Sequence, residues 1–157
     1  MFDMIIFDWK RTLYDPDRKV LLSGAVELLK FLRSKHIPMV LIGKGGQDMK
    51  QEVKRLGVAK YFQEIVFSDK EKDLQTFQKF IKNHQEVLVI GDRVRSELEI
   101  GKKLGAVTIW VKQGKFVNEL PENPNQKPDY TAANLDELAF LLKTHLFTPR
   151  DRVFGPI

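Results

Sequence analysis

Short apolar runs alternate along the chain with longer segments whose apolar positions recur at helical spacing. Continuous runs of this kind are typical of strands that are buried on both faces of a sheet. They fall at 5–7, 39–42, 62–67, 87–90 and 107–111. Strands that alternate with helical segments of about ten residues favour parallel pairing with right-handed crossovers. The pattern therefore predicts an α/β fold, a three-layer, doubly wound and mainly parallel sheet of the Rossmann-like kind.

The connecting segments predict the remaining elements. Helices are expected at 23–36, 47–56, 73–83, 96–104 and 134–142. Ser23 should cap the first of these helices and Asn134 the last, because both side chains can accept a hydrogen bond from an unpaired amide of the first turn. Turn-forming residues at 14–19 and a return arm at 20–22 predict a small hairpin, and 130–131 predicts a short final strand.

The length of 157 residues predicts one domain, which we place at 1–146, followed by a tail at 147–157. The tail has neither helical nor strand periodicity. Its apolar residues Phe147, Phe154 and Ile157 leave two alternatives open. The tail is either disordered or packed against the body of the protein or a second subunit.

Composition narrows the chemistry. A hydrophobic fraction of 43% and a charged fraction of 30%, without a membrane-length apolar run or a secretory signal, predict a cytoplasmic protein that does not enter a membrane. The absence of cysteine excludes thiolate catalysis and cysteine-bound zinc, and three scattered histidines disfavour a histidine metal site. The net charge of +5 is spread over the expected helix surfaces, which favours a solvated surface over nucleic-acid binding.

Polar residues directly follow three of the predicted strands. Asp8, Gly43 and Asp92 each come immediately after a buried run. Open α/β sheets bind ligands beyond the carboxyl ends of their strands, so these positions are expected to lie close together. For Asp8 by itself, capping of the following turn is the alternative.

Two carboxylates at neighbouring strand ends repel each other unless a cation lies between them, and oxygen ligands suit Mg²⁺. Glu97 could supply a third carboxylate, directly or through water, or it could simply favour a helix N-terminus. The Gly-rich stretch at 43–46, which opens a helix, offers backbone amides to an anion such as phosphate. Its alternative role is to end a strand and begin a helix.

The order of these features resembles the haloacid dehalogenase (HAD) superfamily, whose phosphatases carry Asp-x-Asp-x-Thr, then Ser or Thr, then Lys, then Gly-Asp-x-x-x-x-Asp. Asp8 and Thr12 fit the first motif, and the stretch from Gly91 to Glu97 is similar to the last, with Glu for its final Asp. Lys72, or alternatively Lys70, falls where the family places its phosphate-binding lysine. A solvated run of charges at 69–73 is the other interpretation of these lysines.

The resemblance implies phosphoryl transfer to Asp8 and an aspartyl-phosphate intermediate. It implies Mg²⁺ held by Asp8, Asp92 and the backbone carbonyl of Lys10, with Thr12 steadying the loop that carries the nucleophile. The short segment at 13–23 leaves no room for a cap domain. A cap-less site goes in the family with large phosphorylated substrates, or with a homo-oligomer in which a neighbour covers the open site.

Two residues depart from the family pattern. Lys10 stands where phosphatases carry the Asp that protonates the leaving group and activates water, and loss of such a group costs about 10² to 10⁴ in rate. Its ammonium could pair with Asp8, lie over a bound phosphate or point to solvent. Gly43 replaces the Ser or Thr that donates a hydroxyl to phosphate, a contact worth about 1.5 to 3 kcal/mol, although Lys44 is available nearby.

The sequence thus supports two hypotheses. The first is a Mg²⁺-dependent HAD-like phosphohydrolase with nonstandard acid/base chemistry. The second is a catalytically impaired or inactive HAD-like protein that acts as a phosphate-, ligand- or protein-binding module, which the residues at 10 and 43 favour. Nucleic-acid binding through the basic surface is a third and weaker hypothesis.

Overall fold

A computed structural model describes residues 2–147. Its main element is a sheet of six parallel strands in the order β5-β4-β1-β6-β7-β8. These are β1 (Met4–Phe7), β4 (Met39–Lys44), β5 (Glu64–Ser68), β6 (Val87–Gly91), β7 (Val107–Val111) and β8 (Tyr130–Ala132), and a separate antiparallel hairpin is formed by β2 (Tyr14–Asp15) and β3 (Val20–Leu21). The predicted doubly wound α/β fold and the predicted hairpin are confirmed.

Five helices cover the two faces of the sheet. They are α1 (Ala25–Ser34), α2 (Gln47–Arg55), α3 (Leu74–Ile81), α4 (Glu97–Lys103) and α5 (Leu135–Leu141), followed by a π-helical turn at Leu142–Leu146. Alternate residues of β1 enter different cores, since Ile5 and Phe7 pack on the side of α1, α2 and α5 while Met4 and Ile6 pack on the side of α3 and α4. This alternation is the reason that the strand is apolar throughout.

The N-cap of α1 differs from the prediction. The capping position is Gly24 rather than Ser23, and no side chain caps this helix. Gly24 has φ 89°, and a β-carbon at this position would lie 2.8 Å from Oδ1 of Asp136. The close approach of the chain to the start of α5 therefore determines the turn. The predicted cap of α5 is confirmed, because Oδ1 of Asn134 accepts a hydrogen bond from the amide of Glu137 at 2.8 Å.

Strand β4 is two residues longer than the sequence predicts. The sequence pattern places Gly43 and Lys44 in a turn, but they continue the strand and pair with Phe67 and Ser68 of β5. The physical reason is that β5 also extends to Ser68 and supplies partners for both residues. The turn into α2 therefore contains only Gly45 and Gly46.

The connections determine how open the carboxyl edge of the sheet is. Between β1 and α1 the chain forms only the β2–β3 hairpin, and α2 begins three residues after β4 ends.

Phe147 is buried and packs edge-on against Phe2 and Phe31, with ring centroids 6.1 Å and 6.0 Å apart. The rest of the predicted tail, with Phe154 and Ile157, lies outside the described residues. Within residues 2–147 no helix has the length and apolar character needed to span a membrane.

Candidate active site

Asp8 and Asp92 lie at the carboxyl ends of neighbouring strands. Phe7 is paired with Ile90 in the parallel ladder, and the amide of Asp8 donates to the carbonyl of Ile90 at 3.0 Å. The indole N–H of Trp110 donates to the carbonyl of Asp92 at 2.9 Å, which fixes the backbone just beyond β6. Both aspartates are buried. The topology thus brings together two residues that are far apart in the sequence.

Lys72 and Glu97 complete a buried group of charges around Asp8. Nζ of Lys72 lies 2.5 Å from Oδ1 of Asp8 and 2.9 Å from Oε1 of Glu97. The other oxygen of Glu97 accepts from the amide of Arg93 at 2.8 Å. The carboxylate of Glu97 crosses directly over Gly91, where there is no room for a β-carbon. Lys70, the alternative lysine, is exposed, and the structure brings only Lys72 to Asp8.

Three carboxylates of this group are arranged as a metal site requires. Asp8, Asp92 and Glu97 each offer an oxygen, and these atoms lie within 4.8 Å of one another. Oδ2 of Asp92 is buried and has no hydrogen-bond partner. A buried oxygen without a donor, beside two more hard oxygen donors, fits a small divalent cation such as Mg²⁺. Glu97 also lies in the first turn of α4, so a favourable interaction with the helix N-terminus coexists with this arrangement.

The ionisable groups of the site shift one another's pKa values. Burial by itself would raise the pKa of the Asp8 carboxyl, but the charge of Lys72 and the hydrogen bonds from its neighbours hold that pKa below its usual value. Burial, together with the charges of Asp8 and Glu97, raises the pKa of Asp92 to about 10. Burial and the charge of Asp8 also raise the pKa of Glu97. Burial and the mutual repulsion of the carboxylates thus favour a proton on this group in the metal-free protein, and a divalent cation would take the place of that proton.

Thr12 and two aromatic rings hold the loop after β1. The hydroxyl of Thr12 donates to Oδ2 of Asp8 at 3.0 Å, so each oxygen of the Asp8 carboxylate has a fixed partner. Trp9 stacks on Tyr14, with ring centroids 5.0 Å apart, and the hydroxyl of Tyr14 donates to Glu52 of α2 at 2.7 Å. These contacts fix the direction of the Asp8 side chain relative to the body of the protein.

A cavity of about 220 Å³ opens above Asp8 and Asp92. Lys10 and Lys44 line it, as does Lys72. Lys72, and not Lys10, pairs with Asp8, and Lys10 makes no ion pair with any residue from 2 to 147. Lys44 pairs at 2.9 Å with Glu71, which lines the same cavity. The cavity therefore has cationic side chains on its walls and the buried carboxyl groups on its floor.

The space beside Gly43 is filled by a neighbouring aromatic ring. A β-carbon at position 43 would lie 2.6 Å from Cε1 of Phe67 and 3.0 Å from Cβ of Trp9. A Ser or Thr at this position would require Phe67 to move. Trp9 also packs edge-on against Phe67, with ring centroids 6.4 Å apart. A hydroxyl side chain at position 43 would disturb this aromatic packing.

The amides of the Gly-rich turn already have acceptors. The amide of Gly45 donates to the carbonyl of Ser68 at 2.9 Å, and that of Gly46 donates to Oδ1 of Asp48 at 3.2 Å. An anion at this turn would have to displace Asp48 from Gly46. Phosphate binding by the turn at 43–46 stays a prediction, as does metal binding by the carbonyl of Lys10.

Several residues that line the cavity are not identified by the sequence pattern. Arg11, Arg93, Ser96, Lys115 and Phe116 all lie on its wall. Arg93 belongs to the motif-like stretch after β6, but the motif gives it no role. Lys115 and Phe116 follow β7, and the rule that ligands bind beyond strand ends applies to this strand as well. Because β7 does not end directly in a carboxylate or a glycine, its apolar run alone does not point to them.

A doubly wound parallel sheet with a buried aspartate at the end of β1, a second one after β6 and a lysine paired with the first is the arrangement that the resemblance to the HAD superfamily implies. Comparison with known proteins agrees. The HAD-hydrolase-like family model matches residues 72–138. A HAD-superfamily hydrolase from Ehrlichia chaffeensis has the same fold, with a TM-score of 0.67 over 90% of this chain and 96% of that chain at 16% identity. Over residues 72–138 the chain is thus similar to the HAD-hydrolase-like family, and its fold is that of a HAD-superfamily hydrolase.

Relatives with a described activity are archaeal. The glyceraldehyde 3-phosphate phosphatase of Pyrococcus furiosus is 29% identical over 62% of this chain and 45% of its own length. That of Pyrococcus abyssi is 31% identical over 59% of this chain and 42% of its own length. The chain thus spans less than half the length of these relatives.

Proposed function

We propose that the protein is a Mg²⁺-dependent phosphohydrolase, which hydrolyses a phosphomonoester through an aspartyl-phosphate on Asp8. The observation that carries this proposal is the convergence of Asp8, Asp92 and Glu97 with Lys72 at the floor of a cation-lined cavity. The phosphatase activity named for the archaeal relatives supports the same reaction class. A phosphorylated substrate follows from the proposal.

Asp8 is the nucleophile in this reaction. One oxygen of its carboxylate forms a bond to phosphorus while the bond from phosphorus to the leaving alkoxide breaks. Thr12 and Lys72 hold the carboxylate in one orientation, and Lys72 offsets the negative charge that accumulates as the phosphoryl group approaches. Water then attacks the phosphorus, releases inorganic phosphate and restores Asp8.

The carboxylates of Asp8, Asp92 and Glu97, with the backbone carbonyl of Lys10, would hold the metal ion. When bound, Mg²⁺ supplies the charge neutralisation that lets a carboxylate come close to a phosphoryl group. Asp92 contributes the oxygen that has no donor within the described residues. The proton that burial and repulsion favour on these carboxyl groups in the metal-free protein would be released on metal binding.

Lys10 makes both proton transfers slow. An ammonium cannot serve as the general base for water, and the leaving group must take its proton from solvent. Its position on the cavity wall instead suits an additional contact to the phosphoryl oxygens. We therefore propose an enzyme of low turnover, whose open site a neighbour in a homo-oligomer would cover.

Metal dependence is the direct test of this function. The purified protein should release phosphate from at least one member of a broad phosphomonoester panel in Mg²⁺. Activity should vanish with a chelator and return when Mg²⁺ is added in excess, because Lys72 alone does not offset the negative charge of the buried carboxyl groups and of the substrate. Ca²⁺, which prefers more ligands at longer distances, serves as the matched control. Equal turnover in chelator and in Mg²⁺ would contradict the proposal.

A binding module is the second candidate function. It is favoured by Lys10 in place of the acid/base residue and by the Phe67 ring beside Gly43, which excludes a hydroxyl side chain. In this case calorimetry would detect phosphate binding in Mg²⁺, while no member of the panel would be hydrolysed. Turnover that depends on Mg²⁺ removes this candidate.

A further inference from the structure

Three cationic side chains surround one aromatic ring at the mouth of the active-site cavity. The guanidinium carbon of Arg93 lies 4.2 Å from the ring centroid of Phe116, that of Arg11 lies 5.7 Å away, and Nζ of Lys115 lies 5.3 Å away. All four residues line the cavity that also contains Asp8. Cation–π attraction offsets part of their mutual repulsion, but it supplies no countercharge.

The three cations of this cluster differ in whether a carboxylate pairs with them. Arg93 is paired with Glu119 at 2.9 Å. Arg11 and Lys115 make no ion pair with any residue from 2 to 147, and the one carboxylate on the nearby cavity wall, Glu71, is held by Lys44. Two positive charges therefore face the cavity without a carboxylate partner from the described part of the chain.

The backbone of Arg11 is held in one conformation, and the stem of its side chain lies along a neighbouring segment. Its backbone has φ 64°, a left-handed conformation that side chains with a β-carbon adopt only where their surroundings impose it. Its amide donates to the carbonyl of Tyr14 at 2.6 Å, and its carbonyl accepts from the side chain of Gln113 at 3.1 Å. The methylene stem lies close to Gly114, where a β-carbon would be 3.4 to 3.5 Å from three atoms of the Arg11 side chain.

This geometry suits an anion with several oxygens. A guanidinium binds phosphate through two parallel hydrogen bonds, and the fixed backbone and packed stem of Arg11 reduce the conformational entropy that is lost in doing so. The ammonium of Lys115 adds a second charge, which matches a phosphate dianion. The floor of the same cavity already has its own proposed ligand, the phosphoryl group at Asp8, so an anion at Arg11 would be a second one.

We propose that Arg11 and Lys115, backed by the ring of Phe116, form a second phosphate subsite, and that the substrate is a small phosphomonoester that carries a second phosphate group. This inference rests on the proposed function. The cavity volume of about 220 Å³ suits a molecule of a few carbon atoms between the two phosphates. One phosphate lies at Asp8 for transfer, while the other is held at the rim and fixes the orientation of the substrate.

Binding of non-hydrolysable probes tests the subsite separately from catalysis. Butylphosphonate and its α,ω-bisphosphonate share a carbon chain and differ in the second anion. In calorimetric titrations of the wild-type protein in Mg²⁺, the bisphosphonate should bind at least about tenfold more tightly, as expected for one additional charge-assisted contact. The Arg11→Gln/Lys115→Gln double variant should reduce this preference to within about twofold.

Three further variants test whether the preference for the bisphosphonate depends on Arg11 and Lys115. Lys115→Gln alone alters an exposed side chain and should lose part of the preference, which covers the case in which a substitution at Arg11 prevents folding. Arg11→Lys/Lys115→Arg keeps both charges but removes the two parallel hydrogen bonds of Arg11, so it should retain more of the preference than the double Gln variant and less than the wild type. Lys54→Gln removes an exposed charge of α2 that does not line the cavity, and should leave the preference unchanged.

The outcomes separate the two proposals. The proposed subsite would be wrong if both probes bound equally, or if the double variant and Lys54→Gln reduced the preference equally. Arg11 and Lys115 would then be solvated cations at the cavity rim, whatever the phosphatase assay shows. A preference that needs Arg11 and Lys115, in a protein that hydrolyses no phosphomonoester, would keep the subsite and reject the proposed reaction. Tighter competition by a 5′-phosphorylated oligonucleotide than by the bisphosphonate would overturn the assignment to a small molecule.

Discussion

Replacing Lys10 with aspartate is expected to raise the phosphatase rate by about 10² to 10⁴, the usual contribution of a positioned acid/base group. Position 10 lies two residues after Asp8 and lines the cavity above it, so a carboxyl group here reaches the region where the leaving group departs and water attacks. The increase should appear in kcat more than in KM, because the new group acts on the transition state. Steady-state kinetics in Mg²⁺ measures both.

The control for this prediction is Lys10→Asn, which removes the same ammonium but adds no group that can transfer a proton. It should leave the rate within about tenfold of the wild type. If both substitutions raised the rate equally, the ammonium would be an inhibitor of metal or substrate binding instead of a poor substitute for a base. If Lys10→Asp had no effect, the expectation that position 10 retains its place in the family's reaction would be wrong.

Replacing Lys72 with methionine is expected to destabilise the metal-free protein by about 3 to 5 kcal/mol at neutral pH, the cost of breaking a buried ion pair. Lys72 is the cation between Asp8 and Glu97, both of which are buried, at 2.5 Å and 2.9 Å. Without it, three carboxyl groups face one another with no positive charge between them. Urea unfolding in a chelator measures the loss, and excess Mg²⁺ should recover a large part of it.

The pH dependence of this loss has a definite sign. Lys72 holds the pKa of Asp8 below its usual value, so the stability it provides is present above the pKa of an unfolded aspartate and is lost as the pH falls through the lowered value. The difference between Lys72→Met and the wild type should therefore narrow in acid. Lys44→Met, which removes an exposed pair with Glu71, is the control and should change stability little. An equal loss in both variants would contradict this electrostatic role.

Much of the fold and of the site floor could be predicted from the sequence for simple reasons. Strands buried on both faces must be apolar throughout, so β1 and β6 appear in the sequence as continuous apolar runs. Asp8 and Asp92 stand out as the carboxylates that follow these runs. A parallel sheet then forces those ends to one edge. Resemblance to a known motif suggests Lys72, with Lys70 as an alternative that only three-dimensional contacts resolve.

The features that sequence reasoning misses depend on contacts between distant segments. Phe67 fills the space beside Gly43 because β4 and β5 pair two residues further than the apolar run of β4 suggests. Gly24 replaces Ser23 as the N-cap because α5 passes close to it. Cationic side chains from three separate segments lie around the ring of Phe116, and no local sequence pattern identifies such a cluster.

Asp8 is expected to become phosphorylated during turnover, and an acid quench should trap the phosphoenzyme. With an aryl phosphate, whose phenolate leaving group needs little protonation, formation of the aspartyl-phosphate does not depend on the missing acid. Its hydrolysis still lacks a carboxyl group at position 10 to activate water, so the intermediate should accumulate during turnover. Wild-type protein quenched in acid during reaction with a phosphomonoester in Mg²⁺ should carry the mass of one phosphoryl group on the peptide that contains Asp8. Asp8→Asn should carry none and should not turn over. Sustained turnover by Asp8→Asn, or a phosphoryl group attached to another residue, would contradict the account.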